Sequence, residues 1–185
     1  MSATPLATEP EIDGLTAALS SAAPFSDLPQ PVLNAIGDVS IERVFTAGET
    51  IVSLGQYDGG EFYFVLRGKL KAAFADEATR AMLIEEVPQG RFFGLADAIA
   101  EIASGTAERL TLTAEADSTV ISIESAPFRA IVAQRPSLTR SLMHYFARAL
   151  SAYGFRDAPG DSPVRRVFAA LMEHIERDAV TGAWR

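Results

Sequence analysis

The sequence predicts an α+β fold, a sandwich or barrel of short strands preceded by N-terminal helices and followed by a long C-terminal helix. Three observations predict it. From Ile41 to Ile123, apolar stretches of four to seven residues alternate with glycine-bearing turns, the pattern of an all-β sandwich or barrel. Upstream, Leu28, Val32, Leu33 and Ile36 recur at helical spacing. Downstream, Leu138, Leu142, Tyr145, Phe146, Ala149, Leu150 and Tyr153 lie on one helical face over at least 16 residues, which defines an amphipathic helix.

Residues 1–24 read as an arm ending in a short helix. Met1 to Pro10 is rich in Ala, Thr, Ser and Pro and lacks the basic and apolar regions of a signal peptide, so a loose arm is expected. Leu15, Ala18 and Leu19 mark a helix within Ile12 to Ala22. Ser26 or Asp27 can cap the next helix, which Gly37 can stop. Pro29 and Pro31 are tolerable only close to its start.

Strands follow at Arg43-Val44-Phe45, Thr50-Ile51-Val52, Glu61 to Arg67, Lys69 to Phe74, Ala81 to Val87, Leu110 to Ala114 and Thr119 to Ile123. Gly48, Gly55, Gly59, Gly68 and Gly90 fall between them, where tight turns need a positive φ. Pro127 opens a helix with Phe128, Ile131 and Val132 on one face. Pro136 interrupts it, and Ser137 can cap the long helix. Ala158-Pro159-Gly160-Asp161-Ser162-Pro163 reads as a hinge. Ser162 caps a last helix with Pro163 at its first position, and Val164, Val167, Phe168, Leu171, Met172 and Ile175 line one face.

Composition narrows the chemistry. The 185 residues suit one domain with a small appendage. There is no cysteine, which removes disulfides, thiolate metal sites and thiol catalysis and fits a reducing cytoplasm. The two histidines, His144 and His174, sit on separate predicted helices, too far apart for a metal site. No Ser-His-Asp, Cys-His or phosphate-loop pattern occurs, so an enzyme is not expected, and neither is a cofactor. No apolar run is long enough for a membrane span. The net charge of −8 opposes strong nucleic-acid binding. It is uneven: residues 1–136 hold 9 basic and 19 acidic groups, residues 137–185 hold 7 and 5.

The strand region resembles the cyclic-nucleotide-binding domain of the Crp/Fnr regulators, from about Phe25 to Arg156. Phe25-Ser26-Asp27-Leu28-Pro29 is similar to that family's opening helix, and Phe45 to Val52 to its first hairpin. Gly55-Gln56 then leads to Phe62 through Leu70, its most recognisable stretch. Gly90-Arg91-Phe92-Phe93-Gly94 is similar to the start of its phosphate-binding cassette, and Thr111 to Ala114 with Ser118 to Val120 to the strands beyond. The resemblance implies a cyclic-nucleotide-binding double-stranded β-helix, a jelly-roll-like β-roll over residues 25–136. It also implies a dimerisation helix over 137–157 and the first helix of a winged-helix DNA-binding domain over 162–185, with the rest of that domain missing.

In that family a Gly-Glu pair at a helix start and an Arg three residues before a Thr hold the ribose and the cyclic phosphate. A helix start offers N–H groups and a favourable dipole, a guanidinium pairs with phosphate oxygens, and a carboxylate accepts from the ribose hydroxyl. Here the pair is Gly94-Leu95, and leucine accepts no hydrogen bond. Glu108 stands three residues before Thr111, with Arg109 adjacent, and a one-residue shift beside a strand reverses side-chain direction. The candidate altered cassette is therefore Gly94, Leu95, Ala96, Arg109 and Thr111. Between Leu95 and Ala107 the chain is small and apolar. Either a helix there fills the nucleotide cavity, or the pocket takes a different ligand.

Leu138, Leu142, Phe146, Leu150 and Tyr153 are the expected dimer stripe, part of it covering the roll and the remainder facing a second copy. The resemblance implies a cytoplasmic homodimer, the sensory module of a transcription regulator with a non-standard pocket for a nucleotide or another small molecule. DNA is a partner only if a winged-helix domain follows. The alternative is a ligand-free degenerate scaffold acting through protein contacts.

Overall fold

A computed structural model describes residues 9–75, 82–100 and 110–152. Helices α1 (Glu9–Ser20) and α2 (Gln30–Gly37) precede strands β1 (Ser40–Phe45), β2 (Thr50–Val52), β3 (Glu61–Arg67), β4 (Lys69–Ala75), β5 (Met82–Pro88) and β6 (Phe92–Phe93). Then come α3 (Leu95–Ala100), β7 (Leu110–Ala114), β8 (Ser118–Glu124), α4 (Ser125–Gln134) and α5 (Pro136–Ala152). The strands form two antiparallel four-stranded sheets, ordered β1-β8-β3-β6 and β2-β7-β4-β5. The expected α+β roll is present.

Two cores explain why β3 reads as an unbroken apolar run. Strands alternate their side chains between faces, and the first sheet is covered on both. Phe62 and Phe64 face the helices with Ile121, Ile123, Phe128, Leu138 and Leu142. Tyr63 and Val65 face the roll interior with Leu70, Ala72, Val87, Leu112 and Val120. A strand buried on both faces loses its polar alternation. Each such side chain fully withdrawn from water contributes about 1.5–3 kcal/mol. On the helix side Phe62 meets Phe128 edge-on at 4.8 Å, and Phe25 meets Phe92 at 5.2 Å.

Proline chemistry shifts three helix starts from where the sequence put them. Neither Ser26 nor Asp27 caps α2; Pro29 is its N-cap and makes no side-chain cap bond. Leu28 precedes a proline and is therefore held extended, which delays the helix. Helix α4 begins two residues before Pro127, because a first-turn N–H has no intrahelical partner and proline loses nothing there. Pro136 itself opens α5, so Ser137 lies inside the helix. The link between α4 and α5 is instead held by Thr139, whose hydroxyl donates to the Val132 carbonyl at 3.0 Å. The two-residue strand β6 was not foreseen.

The expected dimer stripe divides. Leu138 and Leu142 are fully buried, and Phe146 is 5% exposed, in the chain's own helix-side core. These three cover the roll and present no surface to a second copy. The side chain of Leu150, and Tyr153 with the helix expected over 162–185, lie outside the described residues.

Candidate functional site

The cassette segment begins where β6 ends. Gly94 takes φ 79°, a conformation that L side chains rarely adopt, and a Cβ there would stand 2.5 Å from the Tyr57 hydroxyl oxygen. The turn carries the chain into α3, where the Ala98 N–H donates to the Gly94 carbonyl at 2.9 Å. Leu95 follows and is 3% exposed. It packs with Phe62, Phe128 and Ala98 in the helix-side core, against which Ala96, Ile99 and Ala100 also pack. The apolar residues from Leu95 to Ala100 therefore do not fill the roll interior but anchor α3 to the helices. The rest of the apolar stretch to Ala107 lies outside the described residues.

The interior beside α3 is occupied by groups the sequence did not single out. Tyr57, from the β2–β3 loop, is buried in the roll core, its ring 5.8 Å from that of Phe93. Its hydroxyl donates to Asp97 Oδ2 at 3.1 Å. Burial first, and the Asp97 carboxylate second, push the phenol well above its ordinary range, so Tyr57 stays a donor. On β5, Glu85 stands directly across from Ala72, a fully buried interior residue. Opposed residues of an antiparallel pair share a face, which sets Glu85 on the roll side of β5 although the residue is exposed. Burial raises its carboxyl pKa, Asp97 raises it further, and Arg91 opposes both. The surroundings of the cassette are thus acidic.

A second acidic region lies at the mouth of the roll, in a crevice of about 420 Å³ that Tyr57, Asp58, Glu61, Tyr63 and Glu124 help to line. Glu61 is fixed there: Arg43 donates to it at 2.9 Å, the Ser122 hydroxyl at 2.7 Å and the Tyr63 hydroxyl at 3.3 Å. Burial and then Glu61 raise the Tyr63 phenol. Two cations of the described roll are held in ion pairs. Arg43 pairs with Glu61, and Lys69 bridges Glu86 at 2.9 Å and Glu115 at 2.8 Å. Among the described residues no cluster of His, Asp and Glu could hold a metal ion, and no helix is long and apolar enough to cross a membrane.

Of the candidate cassette residues, Gly94, Leu95 and Ala96 form one short segment. Thr111 does not join them. It alternates with the buried Leu110 and Leu112 and lies across from Ala73, so its side chain faces away from the interior. Arg109, with Glu108, lies outside the described residues. Glu85 had a legible signal: Leu83, Glu85 and Val87 share a face at period two, and a carboxylate among them is out of place. Tyr57, in a glycine-rich loop, had none.

The family model for the cyclic nucleotide-binding domain matches residues 42–135, just over half of the chain. No curated protein sequence matches it. Among solved structures, the sensor domain of the transcriptional regulator DNR from Pseudomonas aeruginosa superposes with TM-score 0.63 at 16% identity, covering 82% of this chain and 97% of that one. A regulatory subunit of a cAMP-independent protein kinase A from Trypanosoma brucei gives 0.59 at 14%, covering 77% and 48%. A cAMP-binding acyltransferase from Mycobacterium smegmatis gives 0.58 at 13%, covering 78% and 43%. The chain thus spans about half the length of the last two, and at these identities the likeness is one of fold.

Proposed function

The chain belongs to the cyclic nucleotide-binding domain family, and we propose that it is the sensory and dimerisation module of a Crp/Fnr-type transcription regulator whose roll no longer takes an ordinary cyclic mononucleotide. Domains of this family are regulatory, and no catalytic role is proposed. The observation that carries the reading is the replacement at the cassette. Leu95 stands in the family's carboxylate position and is sunk in the core, while Asp97, held by Tyr57, lies close enough to the exposed Glu85 to raise its pKa. A cyclic phosphate entering there would meet the Asp97 carboxylate where the family places its ribose and phosphate contacts, and like charge opposes it. The Trypanosoma brucei neighbour, described as cAMP-independent, supports the idea that the fold can regulate without that ligand. The Pseudomonas aeruginosa neighbour supports the transcriptional setting. DNA is a partner in this reading only if a winged-helix domain follows the helix expected over 162–185.

Calorimetric titration with cyclic AMP, cyclic GMP and cyclic di-GMP tests the sensing half. The reading expects no saturable heat from the two mononucleotides in the roll; a one-to-one isotherm with either that survives Arg148→Glu unchanged overturns it. Sedimentation equilibrium tests the dimer, with a mass twice the 19.8 kDa of one chain expected.

The packing of Tyr57 against Phe93 inside the roll favours a second reading, a ligand-free scaffold acting through protein contacts. The two readings part on whether any small molecule bound inside the roll raises the melting temperature of the dimer.

A further inference from the structure

We propose that the crevice between α5 and the start of the cassette, outside the roll, is a binding site for a small phosphate-bearing organic anion. It measures about 560 Å³, within the range of small-molecule sites. Arg91 enters from the turn before β6, and His144 and Arg148 enter from α5. Two arginines and a histidine thus line one crevice of a protein whose net charge is −8. Asp27 is the one carboxylate among the lining residues. Among the described residues neither Arg91, His144 nor Arg148 forms an ion pair, although Arg91 also lies near Glu85. Guanidiniums bind phosphate through paired, charge-assisted hydrogen bonds.

The backbone of the walls is held before any ligand arrives. Ser141, His144, Tyr145 and Arg148 follow at helical spacing and share a face of α5. The Ser141 hydroxyl donates to the Pro24 carbonyl at 2.5 Å, fastening α5 to the loop that forms the opposite wall. The backbone of Arg91 is pinned on both sides, its N–H donating to Pro88 at 3.2 Å and its carbonyl accepting from Val65 at 3.0 Å. Such preorganisation lowers the entropy cost of binding. The Tyr145 ring supplies an apolar wall, which is why the site suits an organic phosphate better than the bare ion. Because Arg91 leads into the cassette and Arg148 sits on the long helix, an occupant would couple the two. This goes beyond the proposed function and does not depend on what the roll interior binds.

The test titrates the full chain with phenyl phosphate and, separately, inorganic phosphate, using wild type, Arg148→Glu and Arg140→Glu. Arg140 is an exposed arginine of the same helix that does not line the crevice, so it controls for net charge. Saturable phenyl phosphate binding is expected, tighter than that of inorganic phosphate. Arg148→Glu should weaken it about tenfold or more, and Arg140→Glu should leave it nearly unchanged. Thermal melts of both variants confirm folding. No saturation up to about 10 mM, equal loss in both variants, or no preference over inorganic phosphate would each overturn the proposal. Cyclic nucleotide binding inside the roll would overturn the proposed function and leave this result intact.

Discussion

The Tyr57 hydroxyl donates to Asp97 Oδ2 at 3.1 Å, joining the β2–β3 loop to α3 at the point where the family's ligand contacts begin. Tyr57→Phe keeps the ring against Phe93 and removes this bond. A loss of about 1 kcal/mol is expected, a fall of ~2–4 °C in melting temperature for a domain of this size. Urea denaturation checks it. Unchanged stability would mean that the bond contributes nothing beyond what water supplies.

Gly94 and Gly90 share φ 79° but not their surroundings. A Cβ at Gly94 would strike the Tyr57 hydroxyl, whereas one at Gly90 would meet nothing within 4 Å. Gly90→Ala therefore carries only the backbone strain, about 1–2 kcal/mol. Gly94→Ala adds displacement of Tyr57 and is expected to cost more. Denaturant midpoints of the two variants make the comparison, and equal losses would show that Tyr57 moves aside freely.

Glu85 gives a pH signature. Its folded pKa is raised above the ordinary 4.5, so the folded chain holds this proton more tightly than the unfolded one. Its contribution is fully present below pH 4.5 and is lost as pH rises through the raised folded value. Glu85→Gln is thus expected to stabilise the protein at neutral pH, with the gain vanishing in acid. Glu85 is an exposed residue, which keeps the effect small. Melting temperatures of both proteins across the acid range measure it, and a gain that persists in acid would refute the charge explanation.

Leu142 is fully buried in the chain's own core. Leu142→Ala is expected to cost about 2–5 kcal/mol, independent of protein concentration. A loss that disappeared at high concentration would place Leu142 in an interface instead.

The roll was legible because its signals are local. Glycine turns, short β-branched and aromatic runs, and the order of Phe45 to Val52, Phe62 to Leu70 and Gly90 to Gly94 each depend on neighbours in sequence. The two-sided burial of the first sheet was legible too, in the unbroken run Phe62 to Leu66. Which face of α3 meets which core was not. Leu95 could as well have pointed into the roll, and only the positive φ of Gly94 with the packing of Phe62 and Phe128 turns it outward. The Tyr57–Asp97 bond spans 40 positions and leaves no trace in spacing. The stripe on α5 was read correctly as apolar, but periodicity alone cannot say whether a stripe is buried by its own chain or by a partner, and Leu138, Leu142 and Phe146 belong to the former.

The central claim is that the roll interior does not accept an ordinary cyclic mononucleotide, and amide NMR of the labelled chain tests it most directly. With cyclic AMP or cyclic GMP added to about 1 mM, the amide signals of Tyr57, Glu85, Gly94 and Asp97 are predicted to stay where they are. Saturating shifts at those four residues would contradict it.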